Sequence, residues 1–171
     1  QEIVQRFFIE ARAVSQLRSE HTIKILDFGQ SSDGLLFMVL EYCAGSPLSH
    51  VLQGREDGTL PVGLACHVGM QLCEALGEAH SRGVVHRDIK PDNLMLEHRP
   101  HLPWFVQVLD FGLAKLTDRP DDGATVGGVV PGTPSYMSPE QCAQEPITPS
   151  SDLYAVGVLM FRMLAGVVPF D

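Results

Sequence analysis

Apolar residues return at helical spacing through the first stretch of the chain, at Ile3, Phe7, Val14 and Leu17, with Arg6, Glu10, Arg12 and Gln16 between them. The spacing predicts a helix over 3–17 with Glu10 near its middle. Two apolar runs of strand length follow, over 22–28 and 35–41, and the glycine-flanked stretch 29–34 between them reads as a hairpin turn. Gly45, Ser46 and Pro47 break the pattern before a short helical segment over 48–52. Pro61 then opens a long helix reaching Arg82, with Leu64, Val68, Leu72, Leu76 and Ala79 on one face and Gly83 past its end. Short strands are expected over 94–97 and 105–109, joined by a loop over 98–103 because two prolines fall there. The stretch 115–134 is rich in Gly, Asp, Thr and Pro without periodicity, as expected of a mobile surface segment. Ser151-Asp152 reads as a helix start, and 153–164 is strongly apolar.

Length and charge narrow the possibilities. A chain of 171 residues, 44% of them hydrophobic, suffices for one domain with its own core. Twelve basic residues against 21 acidic ones give a net charge of −9, and no Lys/Arg cluster stands out, so nucleic acid is not an expected partner. Cys43, Cys66, Cys73 and Cys142 are scattered without zinc-site spacing and read as reduced thiols in a cytoplasmic setting. Residues 1–10 carry charge where a signal peptide would carry an apolar block. A membrane span over 153–170 is disfavoured: Arg162 near its middle would cost about 2.5–3.5 kcal/mol, and two glycines and a proline interrupt it. No membrane contact is expected from this segment.

The chemistry concentrates in His86-Arg87-Asp88-Ile89-Lys90-Pro91-Asp92-Asn93, read with Asp110-Phe111-Gly112. One acid can take a proton from a hydroxyl, the lysine can neutralise phosphate charge, and the carboxamide and second acid can hold a divalent cation through oxygen. Transfer of phosphate from a nucleotide needs that mixture. Asp27-Phe28-Gly29 repeats the tripeptide upstream, leads into a hairpin turn and is assigned no chemistry.

In their order and spacing these motifs resemble the catalytic core of eukaryotic-like serine/threonine protein kinases. The resemblance implies that Asp88 accepts or orients the acceptor proton, that Lys90 sits against the transferred phosphate, and that Asn93 and Asp110 ligate Mg2+ on ATP. It also implies that 37–43 is the hinge between lobes. Backbone groups of Glu41 and Cys43 would bond adenine, Leu40 would stand as gatekeeper and Met95 would form the floor. Glu10 resembles the helix glutamate that pairs with a nucleotide-positioning lysine, which would lie upstream of residue 1 together with the glycine-rich loop. His86 and Phe111 would pack with Val14 in a hydrophobic spine. Gly132 to Glu140 resembles the segment that seats the acceptor peptide, with Thr133 bridging Asp88 and Lys90; Ser138 stands where the family more usually has Ala. Arg87 would receive a phosphothreonine, with Thr125 the first candidate and Thr117 the second. Asp152 would accept hydrogen bonds from the catalytic-loop backbone, and Glu140 would pair with a later arginine.

The expected architecture is therefore an α+β, two-lobed kinase fold present in part. Residues 1–41 would be the remnant of the small lobe, 41–46 the hinge and 47–171 part of the large lobe. The implied activity is ATP- and Mg2+-dependent phosphorylation of serine or threonine on protein substrates, with the 171 residues alone inactive. A pseudokinase scaffold and a small-molecule phosphotransferase are the alternatives, and the intact protein could carry a membrane anchor elsewhere.

Overall fold

The first helix, α1 (Glu2–Ser15), buries Phe7, Ala11 and Val14, the i, i+4, i+7 stripe that a 3.6-residue period puts on one face. Its coordinates come from a computed structural model that describes residues 2–100, 102–111 and 134–170. α1 packs on a two-stranded antiparallel sheet of β1 (Ile25–Gln30) and β2 (Leu36–Leu40). Phe7, Phe8 and Phe28 meet there with ring centroids 5.6 to 6.5 Å apart. The hairpin closes through Ser31 N–H to the Leu35 carbonyl at 2.9 Å, with Gly34 at φ 87.

β1 begins at 25 rather than 22. The polar backbone groups just before it are committed elsewhere: Val108 N–H donates to the His21 carbonyl at 2.7 Å and Ile23 N–H donates to the Val108 carbonyl at 3.0 Å. The strand also continues through Gly29, so Asp27-Phe28-Gly29 lies within β1 and the turn follows it.

A second sheet, in the order β3-β4-β5, contains β3 (Ser46–Pro47), β4 (Leu94–Arg99) and β5 (Leu102–Val108). Here the expected loop over 98–103 is corrected: β4 runs to Arg99, which pairs with Leu102 of β5. Pro103 is tolerated because β5 lies at the sheet edge, where a missing N–H breaks no ladder. The Arg99 guanidinium lies 3.5 Å from the centre of the Phe105 ring and 2.6 Å from Glu97. Just ahead of β3, the backbone of Gly45 passes so close to β4 that a Cβ there would stand 2.5 Å from the Leu96 carbonyl oxygen.

The helical part comprises α2 (Leu48–Gln53), α3 (Val62–Ser81), α4 (Pro139–Cys142) and α5 (Pro149–Ala165), with 3-10 turns at Pro91–Asn93 and Pro134–Tyr136. α3 matches the sequence reading, with Pro61 as N-cap and Gly83 at φ 75 beyond its end. Val68, Leu72, Ala75, Leu76 and Ala79 of α3 join Leu48, Leu52, Leu94, Val106, Leu159 and Met163 in one buried core. Each fully buried Leu there contributes about 1.5–3 kcal/mol by leaving water. Gln71, also buried, donates to the Trp104 carbonyl at 3.0 Å and accepts from Val106 N–H at 3.0 Å, fastening the β5 edge to α3.

α5 starts two residues before the expected Ser151-Asp152. Thr148 is its N-cap, Pro149 takes the first turn, and Ser151 returns its hydroxyl to the Thr148 N–H at 3.3 Å. Arg162 donates to the Gly58 carbonyl at 2.9 Å, so the charge inside this apolar helix has a partner in the loop before α3. Among the described residues no helix is long and apolar enough to cross a membrane.

Candidate active site

Asp152, in the first turn of α5, is 1% exposed, and its carboxylate organises the loop that follows α3. Its Oδ1 accepts the Arg87 N–H at 2.8 Å, and its Oδ2 accepts the His86 N–H at 2.9 Å and His80 Nε2–H at 2.7 Å. A buried carboxylate needs such donors to offset its lost hydration. The same bonds hold Arg87 at φ 73, a left-handed conformation that a non-glycine residue keeps only when its surroundings impose it.

His86 is wholly buried, its ring 4.7 Å from that of Phe111. Its Nδ1 accepts the Asp88 N–H at 3.2 Å and its Nε2 donates to the Leu109 carbonyl at 2.7 Å, which assigns a neutral imidazole. Burial pushes its pKa below the ordinary 6.5 in spite of the opposing pull of Asp152, so it serves as a strut and not as a base. Phe111 and Val14 belong to the same buried core.

Asp88 and Lys90 meet directly, with Lys90 Nζ 2.7 Å from Asp88 Oδ2. Asn93 donates from Nδ2 to the same oxygen at 3.0 Å and to the Asp88 carbonyl at 2.7 Å. With Nδ2 spent on Asp88, the Asn93 Oδ1 remains as a neutral oxygen donor. Leu109 is stapled to this loop from both sides, since its N–H donates to the Asn93 carbonyl at 2.8 Å while its own carbonyl takes His86. Asp110 follows immediately, exposed and at φ 57, a region that Asp tolerates better than most residues. The structure thus gathers Asp88, Lys90 and Asn93 and holds Asp110 beside them through Leu109. A carboxamide oxygen with a carboxylate is the donor chemistry of a hard cation such as Mg2+. Among the described residues no set of three His, Cys, Asp or Glu side chains forms a metal site by itself.

Leu40 ends β2 opposite Ile25, and Met95 lies in β4 opposite Pro47 and Gln107. Glu41 is fixed on three sides: its N–H donates to the Lys24 carbonyl at 2.9 Å, and its Oε1 accepts from Lys24 N–H at 3.0 Å and Gln107 Nε2 at 3.1 Å. Among the described residues the Glu41 carbonyl and the Cys43 N–H take no backbone partner. Burial pushes the Cys43 thiol pKa up, so it stays protonated. Glu10 is half-buried on α1 and engaged there.

Glu140 accepts the Ser151 hydroxyl at 2.5 Å, a bond that lowers its pKa. Ser138 is more than a small filler. It is fully buried and caps α4, accepting Gln141 N–H at 3.4 Å while its own N–H donates to Gln141 Oε1 at 3.0 Å. Gln141 then donates from Nε2 to the Arg87 carbonyl at 2.7 Å, linking α4 to the 86–93 loop. Pro134, Met137, Pro139, Cys142, Tyr154 and Phe170 border a mostly apolar cavity of about 320 Å³ beside it. Thr117, Thr125 and Thr133, and the expected surface segment up to 133, lie outside the described residues. Sequence reading missed His80, Gln107 and Gln141. Only Gln141 had a local signal, the Ser138-x-x-Gln141 capping box.

The protein kinase domain profile matches residues 1–171. The serine/threonine-protein kinase pkn3 of Myxococcus xanthus is 47% identical over 170 residues, covering 98% of this chain and 31% of the relative. Pkn1 of the same organism is 42% identical over 171 residues, covering 99% of this chain and 24% of the relative. The chain therefore spans less than a third of the length of these curated relatives. The crystal structure of the Mycobacterium tuberculosis PknI kinase domain superposes with a TM-score of 0.76 at 24% identity, over 100% of this chain and 60% of that one. That likeness shows the fold, a small strand-bearing part beside a helical one.

Proposed function

We propose, from the premise that this chain belongs to the protein kinase domain family, that its site transfers the γ-phosphate of ATP to serine or threonine hydroxyls of protein substrates. The observation that carries the reading is the interlock of Asp88, Lys90 and Asn93 around one carboxylate oxygen. Among the described residues Asp88 Oδ1 takes no hydrogen bond, so it can accept the acceptor hydroxyl's proton as the oxygen attacks phosphorus and the bond to ADP breaks. Lys90, held at Oδ2, places a positive charge where the transferred phosphoryl group is most negative. Asn93 and Asp110 would hold Mg2+, which neutralises phosphate charge when bound. The Glu41 carbonyl and Cys43 N–H would bond adenine between Leu40 and Met95. The apolar cavity beside Met137 supports a peptide acceptor rather than a small polar one. On this reading residues 1–41, 41–46 and 47–171 are small-lobe, hinge and large-lobe parts.

The test is phosphotransfer to a generic protein acceptor by the full-length protein. Asp88→Asn is expected to lower the rate by about 10²–10⁴-fold, and Asp110→Asn to lower it and to raise the Mg2+ requirement. Unchanged rates in both would overturn the assignment. Residues 1–171 alone are expected to show no transfer.

A further inference from the structure

The linker between α1 and β1 is clamped by a residue distant in sequence that the reading above leaves without a role. Glu78, near the end of α3, accepts the Arg18 N–H at 2.8 Å to each carboxylate oxygen and the Ser19 N–H at 2.6 Å to Oε2. These partners lie about sixty positions away in sequence. A further bond comes from Arg82 Nε at 3.0 Å. Burial works to raise the Glu78 pKa, but the two amides and the guanidinium outweigh it and hold it below the usual carboxylate value, so the clamp is ionised.

What the clamp holds matters for the site. Ser19 passes the constraint on through its hydroxyl, which accepts His21 N–H at 3.2 Å, and its carbonyl, which accepts Thr22 N–H at 3.1 Å. The next residues exchange backbone bonds with Val108, and His21 Nδ1 lies 2.9 Å from the Val106 carbonyl with its ring 4.7 Å from Phe105. Val108 stands two residues before Asp110. On the other side, the linker leaves α1, which carries Glu10. One carboxylate on α3 therefore fixes a short rigid path between the helix of the small part and the strand that delivers Asp110.

We infer that Glu78 is a positioning residue for phosphoryl transfer, acting by clamping the Arg18 and Ser19 amides so that β5 presents Asp110, and α1 presents Glu10, in working register. The inference rests on the kinase reading. Its loss should lower kcat and leave acceptor binding alone, because none of these groups touches the acceptor.

The experiment compares full-length wild type, Glu78→Ala, Glu78→Gln and Arg82→Ala in phosphotransfer kinetics and in amide hydrogen exchange over 18–24 and 106–111. Glu78→Ala is expected to lower kcat by about three- to thirty-fold, a normal range for coupling through a packed network. Its acceptor KM should stay within about two-fold, and exchange should rise in both segments. Glu78→Gln keeps one acceptor oxygen and should fall between, and Arg82→Ala, which leaves the amide bonds in place, should stay near wild type. Unchanged exchange at 106–111 in both Glu78 variants overturns the clamp, and raised exchange with wild-type kcat overturns the positioning role. Should Glu78→Ala fail to fold, Glu78→Gln decides by the same criteria. Absence of activity in the wild type above an Asp88→Asn control sinks the kinase reading itself and the positioning role with it, whereas the exchange result reports on the clamp independently.

Discussion

His86 shows how a titratable side chain beside the proposed catalytic carboxylate is held neutral. Both ring nitrogens are committed, one as acceptor and one as donor, and a second proton would cost the bond from Asp88 N–H. Because its folded pKa lies below the unfolded 6.5, the unfolded chain binds the proton first as pH falls. The associated stability is present above pH 6.5 and is lost below it, at up to about 1.4 kcal/mol per pH unit for one proton. Thermal midpoints taken from pH 7.5 to 5.5 should therefore fall more steeply for the wild type than for His86→Phe, although the variant starts lower. Equal slopes would refute a neutral His86. At this scale Asp88, Lys90 and Asn93 were legible because they share one short stretch with distinctive chemistry, and Asp110 because its tripeptide follows at a suitable distance. His80 was not, since its meaning comes from Asp152, 72 positions away.

Among the elements, α4 has only one turn and depends on its cap. Ser138→Ala removes the hydroxyl that receives Gln141 N–H and should cost about 1 kcal/mol, read as a shifted denaturation midpoint with unchanged slope. Gln141→Leu leaves the Arg87 carbonyl without its side-chain donor, and its effect should appear in kcat more than in the midpoint. In the core, Leu72→Ala of α3 should cost about 2–5 kcal/mol, because Leu72 is fully buried and its neighbours on α5 and the sheet cannot close the gap. The long helices were readable from periodicity, and α3 with its bounding Pro61 and Gly83 is the clearest case. The strands were less so. Residues 22 and 23 are patterned like β1, but the Thr22 N–H goes to the Ser19 carbonyl and the Ile23 N–H to the Val108 carbonyl, and 98–103 looked like a loop because an edge strand can carry a proline. Pro149 was the unread signal that starts α5 before Ser151.

Taken whole, the molecule leaves apolar side chains of α3 and α5 in solvent: Val62, Met70, Leu153, Phe161 and Leu164, with Phe170 beyond them, are each at least 42% exposed. Exposed apolar side chains in this number favour association. Residues 1–171 in isolation should sediment as concentration-dependent oligomers and bind an apolar dye, and strictly monomeric behaviour at high concentration would contradict this. The two-part layout and the position of the hinge were expected from the resemblance of the motifs to protein kinases, but the bonds that fix the join were not legible, since they depend on single side chains such as Glu41 and on approach distances. The passage of Gly45 beneath Leu96 is one such distance, and it restricts how this lineage could vary. Even a methyl group there would collide with main chain, not with a side chain able to swing aside, so position 45 admits no gradual increase in side-chain size. If Leu40 and Met95 flank the adenine as proposed, adaptation to a different ring-shaped guest would proceed through replacements at those two positions, where volume can change one carbon at a time.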